Sequence, residues 1–419
     1  MSPSKATPLP VLSPARRALL ALALGGLGIG TGEFVMLGLL PNVAHDLHTS
    51  IPHGGYLISA YALGVVVGAP TVTALTAHLP RKGLLIGLTI ALALGNLASA
   101  CAPNFDSALA LRFAAGLPHG AFFGVASVAA SGMVAPARRS QAMAVVFAGL
   151  TTANVVGVPL STWAGQHASW RVVYVGVAAV ELLAGLLIAR TVTRMPVQHA
   201  GGEALRRELH VFATPPVWLV LGIATVGGGA LFASFTYIAP MMTHEAGYAE
   251  SSVTWLLVIF GLGMTAGNLA GARLVDRALM PTIFGALGAE TVLALLFLAT
   301  SHDKIAAAIT IFAFPCASMA MLPAIQVRIV AIAGGAPNLA AASIHAAFNI
   351  ANSIGASLGG LAIGFGWGYS SPNAVAAGLA LLGMGVAYAA LRYDRRAAHV
   401  SSVGDRKAQV PRAPALNQR

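Results

Sequence analysis

Glu33 is the side chain with the most chemistry to offer. It stands in the apolar run GTGEFVMLGLL, where a carboxylate costs ~2.5 kcal/mol or more unless it is protonated, paired or facing a polar cavity. A group held at that margin is suited to taking up and releasing a proton. Arg112 and His119 lie seven residues apart in LRFAAGLPHGAFFGV, so a 3.6-residue turn puts them on almost one helix face with Gly116 between them. Counted along the helices, Glu33 falls between the expected depths of Arg112 and His119, which leaves a charge relay open. Each residue also has a plainer reading. Glu33 could bond neighbouring helices, Arg112 could snorkel to the membrane interface, and His119 could pack between helices.

Asn154, Asn349 and Asn352 form an amide set able to donate to and accept from substrate hydroxyls. Amides of this kind equally bridge helices in membranes. Tyr61, Tyr237 and His345 are weaker cavity candidates, because an aromatic near the end of a span commonly anchors it at the interface. Enzyme chemistry finds no foothold. His244-Glu245 begins like a zinc-protease helix, but Tyr248 stands where the second histidine would, and His45 and His48 have no further ligands nearby. There is no phosphate-binding loop of the Walker type. Cys101 and Cys316 offer neither a disulfide framework nor metal-ligand spacing. No cofactor or metal is expected, and the chain is not read as an enzyme.

The elements that must position these groups are apolar helices. Hydrophobic residues make up 57% of the 419 positions and charged ones 9%, against roughly 25% charged in an average soluble domain. The apolar residues come in blocks of about 20, the length that crosses a bilayer as a helix. The blocks are apolar on all sides, which excludes the alternation of barrel strands. This predicts an all-α integral membrane protein with twelve transmembrane helices, the first over 18–40 and the seventh over 216–241. Arg16 and Arg17 before the first block mimic a signal peptide, but the run continues through Leu40 without a cleavage site and is read as a retained helix.

With twelve spans both termini share one side. All 24 Lys and Arg lie on that side except Arg112, Arg171 and Lys304, so the positive-inside rule puts the termini and the loop containing Arg206 and Arg207 in the cytoplasm. The net charge of +11 is spread between the apolar blocks rather than gathered with aromatics, which excludes a nucleic-acid surface. The expected organisation is a cytoplasmic tail over 1–17, a six-helix bundle over 18–193, a cytoplasmic loop over 194–215, a second six-helix bundle over 216–391 and a cytoplasmic tail over 392–419.

An internal repeat supports that division. An offset of 199 matches Gly64 to Gly263 and Gly68 to Gly267, and an offset of 198 matches Ala153-Asn154 and Gly157 to Ala351-Asn352 and Gly355. Paired six-helix halves are the plan of alternating-access carriers, with the site at their interface. Gly116, Gly120 and Gly124, and again Gly263, Gly267 and Gly271, recur every four residues and are expected to let helix backbones approach closely.

Together the segments GTGEFVMLGLLPNVAHDL, LRFAAGLPHGAFFGV, GLTTANVVGVPLSTW, LPAIQVR and AAFNIANSIGASLGG resemble the major facilitator superfamily, in particular its drug:proton antiporter group with the arabinose-efflux and sugar-efflux permeases. Chloramphenicol and purine exporters are similar in the same regions. The resemblance covers nearly the whole chain. It implies two pseudo-symmetric six-helix bundles around a central cavity, proton-driven export of a sugar, nucleoside or drug such as chloramphenicol, and a bacterial cytoplasmic-membrane location. Small-molecule substrate, protons and the lipid bilayer are the expected partners, and the expected state is a monomer. A facilitator or proton symporter of the same fold is the nearest alternative. A non-transporting membrane receptor is a remoter one, since no soluble sensory domain is visible.

Within the resemblance, Glu33 and Arg112 match the family's helix 1 acid and helix 4 arginine. Glu181 and Glu290 fall in helices 6 and 9, normally peripheral, and are read as structural. Two departures stand out. The family's Gly-x-x-x-Asp-Arg-x-Gly-Arg loop becomes TAHLPRKG, with Ala77 and His78 in place of the Asp-Arg pair and Arg81 and Lys82 retained. Its repeat copy, GARLVDRALM, keeps the pair as Asp276 and Arg277, so the cytoplasmic gate is expected to rest on His78, Arg81, Lys82, Asp276 and Arg277. The helix 5 antiporter signature Gly-Pro-x-x-Gly-Gly appears as Val158 through Trp163.

Overall fold

The structure is a computed structural model, and it describes residues 13–76, 78–135, 138–193, 211–333 and 337–408. Ala77, the segment 194–210 with Arg206 and Arg207, and the outermost parts of both tails lie outside the described residues. Among the described residues there are eleven single helices long and apolar enough to cross a membrane, and one bent pair that makes a twelfth span. In chain order they are α1 (Pro14–Phe34 continued by Met36–Asp46), α2 (Ile51–Thr76), α3 (Arg81–Ala100), α4 (Phe105–Gly132), α5 (Gln141–His167), α6 (Trp170–Thr191), α7 (Pro215–Phe235), α8 (Glu250–Val275), α9 (Leu279–Thr300), α10 (Lys304–Ala333), α11 (Ser343–Gly364) and α12 (Pro372–Arg396).

Local sequence sets where several of them start. Ser13 accepts from the Arg16 amide ahead of Pro14, whose missing N–H costs nothing at the first helical turn. Asn104 and Ser107 cap α4 reciprocally, with the Ser107 amide donating to Asn104 Oδ1 at 2.9 Å. Large apolar side chains such as Leu75, Leu94, Ile305 and Leu382 point outward. In water such a surface would be a liability; against lipid it is what a membrane-spanning bundle requires.

The twelve helices form two six-helix bundles. Within the first, α1 packs on α5 and α6, α2 on α4, and α3 on α4 and α6; within the second, α7 packs on α11 and α12, α8 on α10, and α9 on α10 and α12. The repeat extends to atomic contacts. A side chain at Gly64 or Gly68 would overlap the carbonyls of Phe113 or Leu117, and one at Gly263 or Gly267 those of Phe312 or Cys316, partners separated by the same 199 residues. The α8 glycine series holds throughout, since Gly271 meets the Ala320 carbonyl. In α4 it holds for Gly116 and Gly120 but not for Gly124, which has open space beside its Cα. The even spacing continues past the point where α2 still lies against α4.

Two further departures from regular helix were not foreseen. The first span is bent by 49° at Val35, where the sequence predicted one straight helix. In the second half α7 ends at Phe235, and the chain resumes as a helix at Ile238–His244. Pro41 and Pro240 follow these breaks; the N–H that Pro240 lacks would have met the carbonyl of Thr236, at the break itself, whereas the carbonyl freed by Pro41 is that of Leu37, two residues past Val35. In addition, α5 carries a π-helical turn at Ala153–Gly157 and α7 one at Ile223–Gly227.

The halves meet through α2 against α11 and α5 against α8, with the continuations of α1 and α7 touching at the end of the bundle away from the termini. At that distal end Ser59 donates to the Ser353 carbonyl at 3.2 Å, and Gln166 donates to the Glu250 carbonyl at 2.8 Å. Halfway along, Gly261 of α8 rests on the Asn154 carbonyl so closely that any side chain there would collide with it.

Candidate functional site

Arg112 is 1% exposed in the middle of the first bundle. Its Nη2 donates to the Gly32 carbonyl at 3.2 Å, while its guanidinium lies 4.2 Å from the Tyr61 ring centroid and 5.2 Å from that of Tyr174. Two aromatic faces thus hold a cation that has few hydrogen-bond acceptors; Nε and Nη1 have no partner. Two buried acids lie within its electrostatic reach, Glu33 of α1 and Glu181 of α6. No direct salt bridge joins Arg112 to either among the described residues. Asn96 of α3 donates to both oxygens of Glu181, at 3.1 and 3.0 Å. Asn352 of α11 lies near Glu33, so the acid of the first half faces an amide of the second.

His119 lies one layer toward the end of the bundle that carries the termini. Its Nδ1 is 3.2 Å from the Tyr61 hydroxyl, and its ring packs on Tyr61 at 5.9 Å and on Phe123 at 5.4 Å. Tyr61 therefore touches both Arg112 and His119, and the two share a buried network. Beyond it comes a stack of rings from three helices. Phe123 of α4 and Phe147 of α5 lie 5.2 Å apart and 6° from parallel, and Phe147 and His345 of α11 lie 5.1 Å apart and 2° from parallel. The last pair crosses between the halves.

The remaining expected residues are more dispersed. Asn154 sits in the π turn of α5 and donates to the Leu150 carbonyl at 3.1 Å. Asn349 donates to the His345 carbonyl at 3.0 Å, and the Oδ1 atoms of both Asn349 and Asn352 are buried without a partner. Tyr237 lies in the distal closure, 1% exposed, with its hydroxyl donating to the Ala356 carbonyl at 2.7 Å and its ring against Gly55 and Gly360.

At the end carrying the termini, His78, Asp276 and Arg277 are exposed, and Arg81 and Lys82 open α3. Among the described residues no salt bridge involves Asp276 or Arg277. The pair on that side is Arg328 of α10 with Asp394 of α12, at 2.8 Å. His244 and Glu245 serve the distal loops: Glu245 accepts from the Tyr369 amide at 2.9 Å and lies 3.3 Å from His302.

Sequence reasoning did not find the tie between Glu181, Asn96 and Arg112, nor Tyr174 behind the guanidinium. Both polar residues were visible as interruptions of apolar blocks, but nothing in the order of residues says that α3 lies beside α6. Phe123 and Phe147 carried no signal, being aromatics among many apolar neighbours.

Twelve membrane-crossing helices in two repeated halves, with an acid, an arginine and amides buried between them, are the architecture of a polytopic membrane transport protein. Residues 22–360 match the Major Facilitator Superfamily, and the chain belongs to that family. The inner membrane transport protein YdhP of Escherichia coli (strain K12) is 39% identical over 368 residues, covering 87% of this chain and 94% of that protein. The chloramphenicol resistance protein of Streptomyces lividans is 33% identical over 358 residues, covering 85% and 90%. Among solved structures, a bacterial homologue of the human lysosomal transporter Spinster, inward-facing and unoccupied, gives a TM-score of 0.74 over 93% of this chain and 98% of that one, at 15% identity. The D-xylose–proton symporter gives 0.71 over 89% and 97%, at 16%. At such identities the likeness concerns the fold.

Proposed function

We propose that this transporter exports a small molecule from the cytoplasm in exchange for protons, by alternating access between its two halves. The observation that carries the reading is the burial of Glu33 in α1, 6% exposed, on the side of the first half that faces Asn352 of the second. While α1 and α11 are together, the carboxylate has an amide donor and the Arg112 charge nearby. When they part it loses the donor, and a carboxylate in an apolar interior is then kept most cheaply by taking up a proton. Proton occupancy is thereby tied to which side is open. Arg112 is held within the first half by Tyr61 and Tyr174, and His119 shares Tyr61 with it. Resemblance to an inner membrane transport protein and to a chloramphenicol resistance protein favours export across the cytoplasmic membrane, and the Lys and Arg distribution favours both termini inside with the distal closure facing out.

The test is flux in proteoliposomes under an imposed pH gradient, screened over sugars, nucleosides and antibiotics. Substrate should move uphill against the proton flow and stop when the gradient is collapsed by an ionophore. Flux of equal size with and without the gradient would make the protein a facilitator. Uphill movement in the same direction as the protons would make it a symporter.

A further inference from the structure

The export reading leaves the substrate open between sugars and flat aromatic compounds, and the following inference rests on that reading and narrows it. Phe123, Phe147 and His345 come from α4, α5 and α11, and all three ring planes lie within 6° of one another. Phe147 and His345 belong to different halves and both remain partly exposed, so neither ring is fully packed away in its own bundle. The contact that joins them is ring face to ring face, which parts cleanly and leaves two parallel aromatic faces, one phenyl and one imidazole, opposite each other. His345, Asn349 and Asn352 follow at intervals of four and three residues, which places them on one side of α11. The last two carry amide oxygens that are buried with no donor, a costly arrangement unless something supplies one.

We infer that this layer is the substrate site and that it takes a planar aromatic compound bearing hydrogen-bond donors, inserted between Phe147 and His345 when the halves separate. The ring would replace the His345–Phe147 stack with two stacks of its own, and its amino or hydroxyl groups would meet the unpartnered oxygens of Asn349 and Asn352. A polyol suits the layer poorly. It has no π face to offer the three rings, and the unpartnered buried amide atoms of the layer are the acceptors Asn349 Oδ1 and Asn352 Oδ1.

The probe is 2-aminopurine, whose fluorescence is quenched on stacking, titrated against the purified full-length protein in detergent, with adenine, 4-nitroaniline and L-arabinose as competitors. The expected result is saturable quenching that adenine and 4-nitroaniline reverse and L-arabinose does not. Phe147→Leu should weaken binding at least about tenfold, and Phe147→Tyr should leave it within about threefold, since loss of a stacking partner costs roughly that or more. Asn349→Leu should remove the advantage of 2-aminopurine over unsubstituted purine. Retained melting temperature in the variants separates site loss from misfolding, and Phe123→Leu is a second ring-removing variant should Phe147→Leu fail to fold. No quenching up to millimolar probe, displacement by L-arabinose, or equal binding by Phe147→Leu would each overturn the inference. The assay needs no flux, so binding without gradient-driven transport would defeat the export reading and leave this site standing. Gradient-driven L-arabinose flux that is indifferent to Phe147→Leu would do the reverse.

Discussion

A charge inside an apolar span is the loudest signal a membrane sequence can give, because each such residue must be protonated, paired or hydrated. Glu33 and Arg112 were legible for that reason. What was illegible is everything that depends on which spans are neighbours: Glu181 bonded by Asn96, Tyr174 behind the guanidinium, and the face-to-face meeting of Phe147 with His345. On the proposed mechanism Glu33→Gln keeps a hydrogen-bonding group for Asn352 but cannot exchange a proton. Gradient-driven accumulation in proteoliposomes should therefore fall to the equilibrium level, while exchange of substrate against substrate survives within severalfold. Unchanged uphill transport by Glu33→Gln would remove this residue from coupling.

At the scale of elements, the glycine spacing showed that two helix pairs would approach closely, and the structure adds which positions matter. Gly267 faces the Cys316 carbonyl with no room for a methyl group, whereas Gly285 has nothing within 4 Å. Gly267→Ala should lower stability by ~1–3 kcal/mol through overpacking, and Gly285→Ala should be neutral or slightly stabilising, by up to ~1 kcal/mol, because alanine is the better helix former. Thermal denaturation followed by size-exclusion of the two variants checks the contrast. Gly124→Ala belongs with the second class despite its place in a regular series. The break at Val35 was not legible, since Pro41 acts several residues away and proline in membrane helices is commonly tolerated without a bend.

For the whole molecule, twelve spans and their division into halves could be read from block length and the repeat, because hydrocarbon thickness fixes one and the offset of 199 the other. The side of the membrane is a separate matter, resting on the Lys and Arg distribution. Reporter fusions at residues 50, 205 and 245 should report the outside, inside and outside of the cell respectively; periplasmic activity at 205 would reverse the proposed orientation. The inner gate is likewise still a proposal. Asp276 is exposed and unbridged among the described residues, and in the family pattern its role arises when the halves close on that side. Asp276→Asn should then slow transport far more than His78→Ala at neutral pH. Equal rates in the two variants would shift inner closure onto the ring stack of Phe123, Phe147 and His345.

The clustering of Asn96, Arg112 and Glu181 has a consequence for how the protein is made. A ribosome delivers α3 and α4 to the membrane before α6, so the amide and the guanidinium are inserted while the carboxylate that both will face is still untranslated. An arginine within a membrane span costs up to ~2.5–3.5 kcal/mol on insertion, and Tyr61 and Glu33 can offset only part of that until α6 arrives carrying Glu181 and Tyr174. The first bundle is thereby committed to assemble as a six-helix unit, late, rather than helix by helix. Nascent chains stopped at residue 168 should be cleared by membrane quality-control proteases several times faster in pulse-chase than chains stopped at residue 193, although the longer chain exposes more apolar surface.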